Sequence, residues 1–206
     1  MIAIIDYGMG NLGSVLNACR YLGLEASLVT TPSGLREARG VILPGVGAFG
    51  DCMKHLVRQE LADAIRDWIL SGRPYLGICL GLQILCSGSE ESPGVGGLHV
   101  IPMQVRRFRN LPPEMKVPHM GWNQVHIAGS SCEILEGIGS GEFFYFVHSY
   151  YVPEIQNGMC AWTEYGIRFC SVYHQENLFA VQFHPERSHQ AGLRVLSNFA
   201  AIAERT

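Results

Sequence analysis

A thiol stands between two glycines in Gly77-Ile78-Cys79-Leu80-Gly81, and an imidazole and a carboxylate stand close together in His184-Pro185-Glu186. These are the parts nucleophilic catalysis needs: an attacking group, a base to activate it, and a third group to orient the base. Tyr75 to Ile78 is a short apolar run expected as a buried strand, and Leu80 to Leu85 is expected to open a helix. With Cys79 at the junction, this is the strand–turn–helix layout of a nucleophile elbow, with Cys replacing Ser. The glycines are expected to let the backbone turn sharply. A helix end favours a thiolate by about 0.3–1 kcal/mol, so most of the activation must come from a basic partner. Taken alone, Cys79 also fits a small buried hydrophobe. The second stretch changes the balance. Leu178 to Phe183 is expected as a strand that delivers His184 to the same sheet edge, with Glu186 on the far ring nitrogen.

The elements that must position these groups follow from the apolar pattern. Ile2 to Ile5 reads as a central strand, and Leu12, Val15, Leu16, Cys19 and Leu22 keep helical spacing up to Gly23. Ala26 to Val29 and Gly40 to Leu43 are further strands. Helices are expected over about Asp51 to Arg58 and Leu61 to Ser71. This alternation predicts an open parallel sheet with helices on both faces, and the site then falls at the C-terminal edge of the strands. Gly8-Met9-Gly10-Asn11-Leu12-Gly13 matches the dinucleotide fingerprint in letters. The next strand, however, ends in Thr30-Thr31-Pro32 rather than an acidic residue, so a nicotinamide cofactor is set aside.

The loop Pro44-Gly45-Val46-Gly47 can turn a backbone N–H toward a substrate oxygen and, with the N–H of Leu80, form an oxyanion hole; its alternative is an ordinary Gly-Pro turn. Ser87 to Gly97, with Glu90 and Glu91, reads as a solvated polar loop. The second half reads as antiparallel: His99 to Phe108 and Phe143 to His148 are strands, and Cys160 to Glu164 with Arg168 to Tyr173 form a hairpin around Tyr165-Gly166. Met120 and Trp122 stand beside turn residues, with core residues at a strand start as the alternative, and a closing helix starts at about Gln190 with Leu196, Phe199, Ala200 and Ala203 buried.

With 206 residues, 48% apolar and 16% charged, the chain suits one globular domain over residues 1–206. A net charge of −3 gives no argument for nucleic acid or an anionic membrane surface. No apolar run approaches the roughly eighteen residues of a membrane span, and the N-terminus lacks the basic segment of a signal peptide. Seven cysteines without a Cys-x-x-Cys argue against a disulfide framework and a structural zinc, and for a reducing cytoplasm. Cysteines other than Cys79 read as core thiols, and neither a metal nor a cofactor is expected.

Together, Gly-x-Cys-x-Gly and Phe-His-Pro-Glu resemble the triad of the class I glutamine amidotransferases, and the resemblance covers nearly the whole chain. Asp6-Tyr7-Gly8-Met9-Gly10-Asn11, the Pro44-Gly45-Val46-Gly47 loop and Lys116-Val117-Pro118-His119-Met120-Gly121-Trp122-Asn123 look like the glutaminase subunits of imidazole glycerol phosphate synthases. Arg187 departs from the Lys usual in that family after the triad Glu; it keeps the charge but changes its geometry.

The resemblance implies a flavodoxin-like, mostly parallel sheet with an antiparallel extension in the second half. It implies Cys79, His184 and Glu186 as the triad, Val46, Gly47 and Leu80 at the oxyanion, and L-glutamine held by Gln83, His148, Ser149 and Tyr150. It also implies a cyclase partner of (β/α)8-barrel form that receives the ammonia, met by Asn11, His119, Met120, Trp122, Asn123, Tyr145 and Arg187. Two other readings fit the same residues: a Cys–His hydrolase of peptide or γ-glutamyl bonds without a synthase partner, and a non-catalytic regulator that kept the fold.

Overall fold

The computed structural model describes residues 1–129 and 132–205. In its first half, strands β1 (Ile2–Ile5), β2 (Ala26–Val29), β3 (Gly40–Gly45) and β4 (Tyr75–Cys79) alternate with helices α1 (Leu12–Tyr21), α2 (Phe49–Arg58) and α3 (Leu61–Leu70). A single turn, α4 (Leu80–Gln83), follows β4. Then come β5 (Cys86–Ser89), β6 (Ile101–Arg107), β7 (His119–Ile127), β8 (Glu142–His148), β9 (Tyr150–Tyr151), β10 (Met159–Glu164), β11 (Arg168–Gln175) and β12 (Leu178–Val181), and helix α5 (His189–Arg205) closes the chain.

Among the described residues, nine strands form one sheet in the order β2-β1-β3-β4-β12-β11-β10-β7-β8. From β2 to β12 the pairing is parallel, and from β12 onward it is antiparallel. Strands β5, β6 and β9 make a small second sheet. The mostly parallel sheet with an antiparallel extension is the expected architecture.

The parallel strands β1, β3, β4 and β12 are buried along their whole length, as continuous apolar runs require when both sheet faces are covered. Alternate residues serve opposite cores. Ile2 and Ile4 pack with Val15 and Cys19 of α1 and with Val195 and Phe199 of α5, whereas Ala3 and Ile5 pack with Leu56 of α2 and Ile65 of α3. Helix α2 buries Phe49, Cys52, Met53 and Leu56, the spacing of one helical face. On α5, Leu196, Phe199, Ala200 and Ala203 are buried as expected.

Two local expectations need correction. The segment after Ser87 is not all solvated loop: β5 runs into it and pairs with β6. Glu91 accepts the Phe49 N–H of α2 at 2.7 Å, and Glu90 accepts the Arg107 N–H at 3.0 Å and faces Arg109. Trp122 does not sit in a turn; it lies within β7, paired with Tyr145 of β8. Among the described residues no helix is long and apolar enough to cross a membrane.

Candidate active site

The sharp turn after β4 is made by Cys79 itself. Its backbone sits at φ 55°, ψ −103°, a conformation that costs a non-glycine residue about 1–3 kcal/mol. Neither Gly77 nor Gly81 has a positive φ, which corrects the expectation that the glycines supply the bend. They supply closeness instead. A Cβ on Gly77 would lie 2.5 Å from the Gly81 carbonyl oxygen, and one on Gly81 would lie 2.1 Å from the Leu43 oxygen. Only glycines let α4 fold back against β4 and β3 while holding the thiol at the strand ends. Because α4 is a single turn rather than the expected run to Leu85, little helix dipole is available to the sulfur, and side chains must do more.

Those side chains come from β12 and the residues after it. Since β12 pairs in parallel with β4, Val181 beside Ile78, the chain beyond Val181 emerges next to Cys79. Gln182 is fully buried, and its amide Nε2 donates to Cys79 Sγ at 3.4 Å. Its Oε1 in turn accepts from Gln83 Nε2 at 3.2 Å, and the same Gln83 nitrogen donates to the Tyr150 carbonyl at 2.9 Å.

His184 Nδ1 donates to Glu186 Oε1 at 2.9 Å, with both side chains almost fully buried. Burial by itself pushes the imidazole toward its neutral form. The interaction with Cys79, and then with Glu186, outweighs burial and holds His184 protonated up to about 10. Among the described residues Nε2 makes no hydrogen bond of regular geometry. The segment is tied down by Tyr145: His184 N–H donates to the Tyr145 carbonyl at 2.9 Å, Tyr145 N–H donates to Ser188 Oγ at 2.9 Å, and Ser188 Oγ–H donates to the His184 carbonyl at 2.7 Å.

A cavity of about 340 Å³ opens over Cys79. Its walls include Val46, Gly47, Leu80, Gln83, Glu91, Val147, His148, Ser149 and Tyr150. Gly45 is in register with Cys79, so the Val46–Gly47 segment and Leu80 leave adjacent strands side by side, with Gly47 at φ 96°. Gln83 is 4% exposed, not a surface helix residue. His148 lines the cavity, but both its nitrogens are engaged: Nε2 meets His119 Nδ1 at 2.9 Å and Nδ1 donates to the Tyr150 carbonyl at 2.8 Å. Burial depresses both imidazoles, His119 to about 4 and His148 to about 3, so the pair is neutral. Gln182 was not singled out from sequence, and Glu91 was read with Glu90 as part of a solvated loop rather than as a site residue. Gln182 sits in an ordinary apolar strand pattern, and Glu91 meets α2 only across a separation of 42 residues, beyond any local pattern.

Of the residues expected to meet a partner, Met120, Trp122, Asn11 and Arg187 are exposed and Tyr145 is half-buried. Arg187 lies over the Tyr145 ring at 4.4 Å, and Trp122 stacks on His189 at 4.9 Å. His119 does not lie on the expected contact surface. His119 is buried, stacked between Phe146 and Tyr165. The Asn123 amide turns inward to the Glu164 carbonyl and His119 Nε2. His119 supports the cavity wall from behind, and the partly exposed Asn123 holds it there.

Comparison with known proteins agrees with this geometry. Residues 3–203 match the family described as Glutamine amidotransferase class-I. The imidazole glycerol phosphate synthase subunit HisH of Methanothermobacter thermautotrophicus is 50% identical over 202 residues, covering 98% of each chain. The chain belongs to the class I glutamine amidotransferases, in the HisH family. HisH of Moorella thermoacetica is likewise 50% identical over 202 residues, covering 98% of this chain and 94% of its own. The glutaminase domain of Trypanosoma brucei CTPS, solved with bound acivicin, shares the fold at a TM-score of 0.73 and 19% identity, covering 100% of this HisH-family chain and 94% of that domain.

Proposed function

We propose that this chain is the glutaminase subunit of an imidazole glycerol phosphate synthase, hydrolysing L-glutamine through a Cys79 thioester and passing the ammonia to a cyclase subunit in histidine biosynthesis. The observation that carries the chemistry is the strained Cys79 beside a buried, protonated His184 held by Glu186 at 2.9 Å, at the floor of a cavity sized for an amino acid.

In this reading the Cys79 thiolate attacks the side-chain amide carbon. The oxygen takes up the electron pair at the N–H groups of the Val46–Gly47 segment and Leu80, where one donor is worth about 2.7–4 kcal/mol. His184 gives its Nε2 proton to the departing ammonia, which leaves a thioester and a neutral imidazole. Water then attacks the thioester, His184 takes its proton, and glutamate leaves with Cys79 again a thiolate. Glu91, the carboxylate among the lining residues, suits the ammonium of the substrate. Gln83, Ser149 and Tyr150 hold the rest of the amino-acid end, and His148 acts by fixing Tyr150.

Residues 1–206 act as one domain. A cytoplasmic location fits the seven free, buried cysteines. A (β/α)8 cyclase partner would dock on the face carrying Met120, Trp122, Tyr145 and Arg187. The test is Cys79→Ala in the assembled synthase. Glutamine-dependent turnover should be lost while turnover with added ammonium salts remains; retained glutamine hydrolysis would reject the assignment.

A further inference from the structure

The sequence spacing of the cysteines hides a cluster that the fold assembles. Cys132, Cys160 and His174 bring their two sulfurs and a ring nitrogen within 4.8 Å of one another. Three local features aim them. In the β10–β11 pairing, Met159 faces Tyr173 and Ala161 faces Val172, so Cys160 is the extra residue of a bulge, a device that redirects a side chain out of the regular alternation. The His174 ring is stacked on Phe179 at 4.5 Å, nearly parallel. Its Nε2–H donates to the Glu176 carbonyl at 2.7 Å, which leaves Nδ1 with the lone pair. This is the outer hydrogen bond that fixes tautomer and orientation in metal-bound histidines.

We propose that Cys132, Cys160 and His174 bind one zinc-type divalent cation and fasten the loop before β8 to the β10–β11 hairpin. Two thiolates and an imidazole suit zinc over harder cations. A bound zinc would form two Zn–S bonds and one Zn–N bond, with the thiol protons released to solvent, His174 neutral, and water in the fourth position. No electrons are transferred.

The cluster is not an outlying part of the catalytic centre. His174 is in register with Phe179, and Phe179 with Leu76, which puts it on the order of 10 Å back along the strands from Cys79. Cys132 opens the segment that α5 holds through Asn198, bonded to the Ile134 and Glu136 carbonyls. Its role is therefore structural.

The probe is cobalt(II), then zinc(II), added to the full chain kept reduced with a phosphine, in a Cys79→Ala background so that the catalytic thiol cannot contribute. The expected result is a thiolate-to-cobalt charge-transfer band saturating at one ion per chain, displaced by zinc, with zinc raising the melting temperature. Cys160→Ser and His174→Gln should each weaken binding at least tenfold. His174 is half-exposed, so His174→Gln keeps the test informative should Cys160→Ser fold poorly. The proposal is overturned by absence of the band, by a band that survives Cys132→Ser/Cys160→Ser, by a band present only when Cys79 is intact, or by a Cys132–Cys160 disulfide as the resident form.

Discussion

The amide of Gln182 donates to the sulfur of Cys79 at 3.4 Å, from a position with no exposure to solvent. A buried N–H aimed at a sulfur favours the thiolate, and a hydrogen bond to a charged group is worth about 1.5–3 kcal/mol. Gln182→Leu should therefore slow both glutamine hydrolysis and Cys79 alkylation at neutral pH on the order of tenfold or more. Gln182→Glu should slow alkylation further, since it sets a second negative charge beside the thiolate. Rates of iodoacetamide labelling for the three proteins check this; equal rates would mean that the contact does not act on the sulfur.

The raised pKa of His184 beside Cys79 makes a prediction about pH. The folded-state pKa of His184, about 10, lies above the ordinary 6.5. Its contribution to stability is thus fully present below about pH 6.5 and is lost as pH rises through 10. In Cys79→Ala the largest favourable influence on the imidazolium is gone and only Glu186 opposes burial, so the pKa should fall. An NMR titration of the His184 ring resolves the two proteins, and an unchanged pKa would mean that Cys79 does not act on the ring. Glu186→Gln should keep the fold and lose activity less completely than His184→Asn, because its task is orientation.

His119 and His148 titrate in the opposite sense. Their folded pKa values, about 4 and about 3, lie below 6.5 because burial disfavours the charged ring. Stability from keeping them neutral is present above about pH 6.5 and is lost as pH falls toward those values. The bond between His119 Nδ1 and His148 Nε2 should break in the same window, because a protonated acceptor leaves two donors facing each other. His119→Phe, which keeps the stacking but cannot be protonated or donate to His148, should flatten acid unfolding below pH 6 while raising KM for glutamine. Urea midpoints at pH 5 and 7 measure the first effect.

The parallel half of the fold was legible because fully buried strands are continuous apolar runs, and glycines mark their ends. The nucleophile and base were legible because each follows such a run directly. Three kinds of feature were not. Strand β5 is made of Cys, Ser and Gly, with no apolar alternation to reveal it. Trp122 is apolar yet exposed, since it lies on the outer face of β7, and no local pattern says which face is outer. His119, Gln182 and the Cys132–Cys160–His174 cluster depend on register between distant strands, where a bulge of one residue decides what meets what.

The last prediction concerns the outer face of the β7–β8 hairpin. Met120 pairs with Val147 and Trp122 with Tyr145, so the exposed apolar side chains Met120 and Trp122 share a face with Tyr145. This face runs to the nucleophile: the Val147 carbonyl is 3.9 Å from Cys79 Sγ, and the Tyr145 backbone carries the bonds that hold His184. A cyclase seated there would cover the site and press on the strand that positions both triad groups. A well-packed aromatic anchor contributes about 2 kcal/mol or more to such a contact, so Trp122→Ala should weaken assembly by tenfold or more. Because Trp122 is 45% exposed, the isolated variant should remain folded by circular dichroism. Arg187, held over the Tyr145 ring, is exposed and charged. Arg187→Glu should slow association in a salt-dependent way, with little change in dissociation. Surface plasmon resonance against the cyclase at two ionic strengths separates the two effects, and a Trp122→Ala chain that is folded and binds normally would move the interface elsewhere.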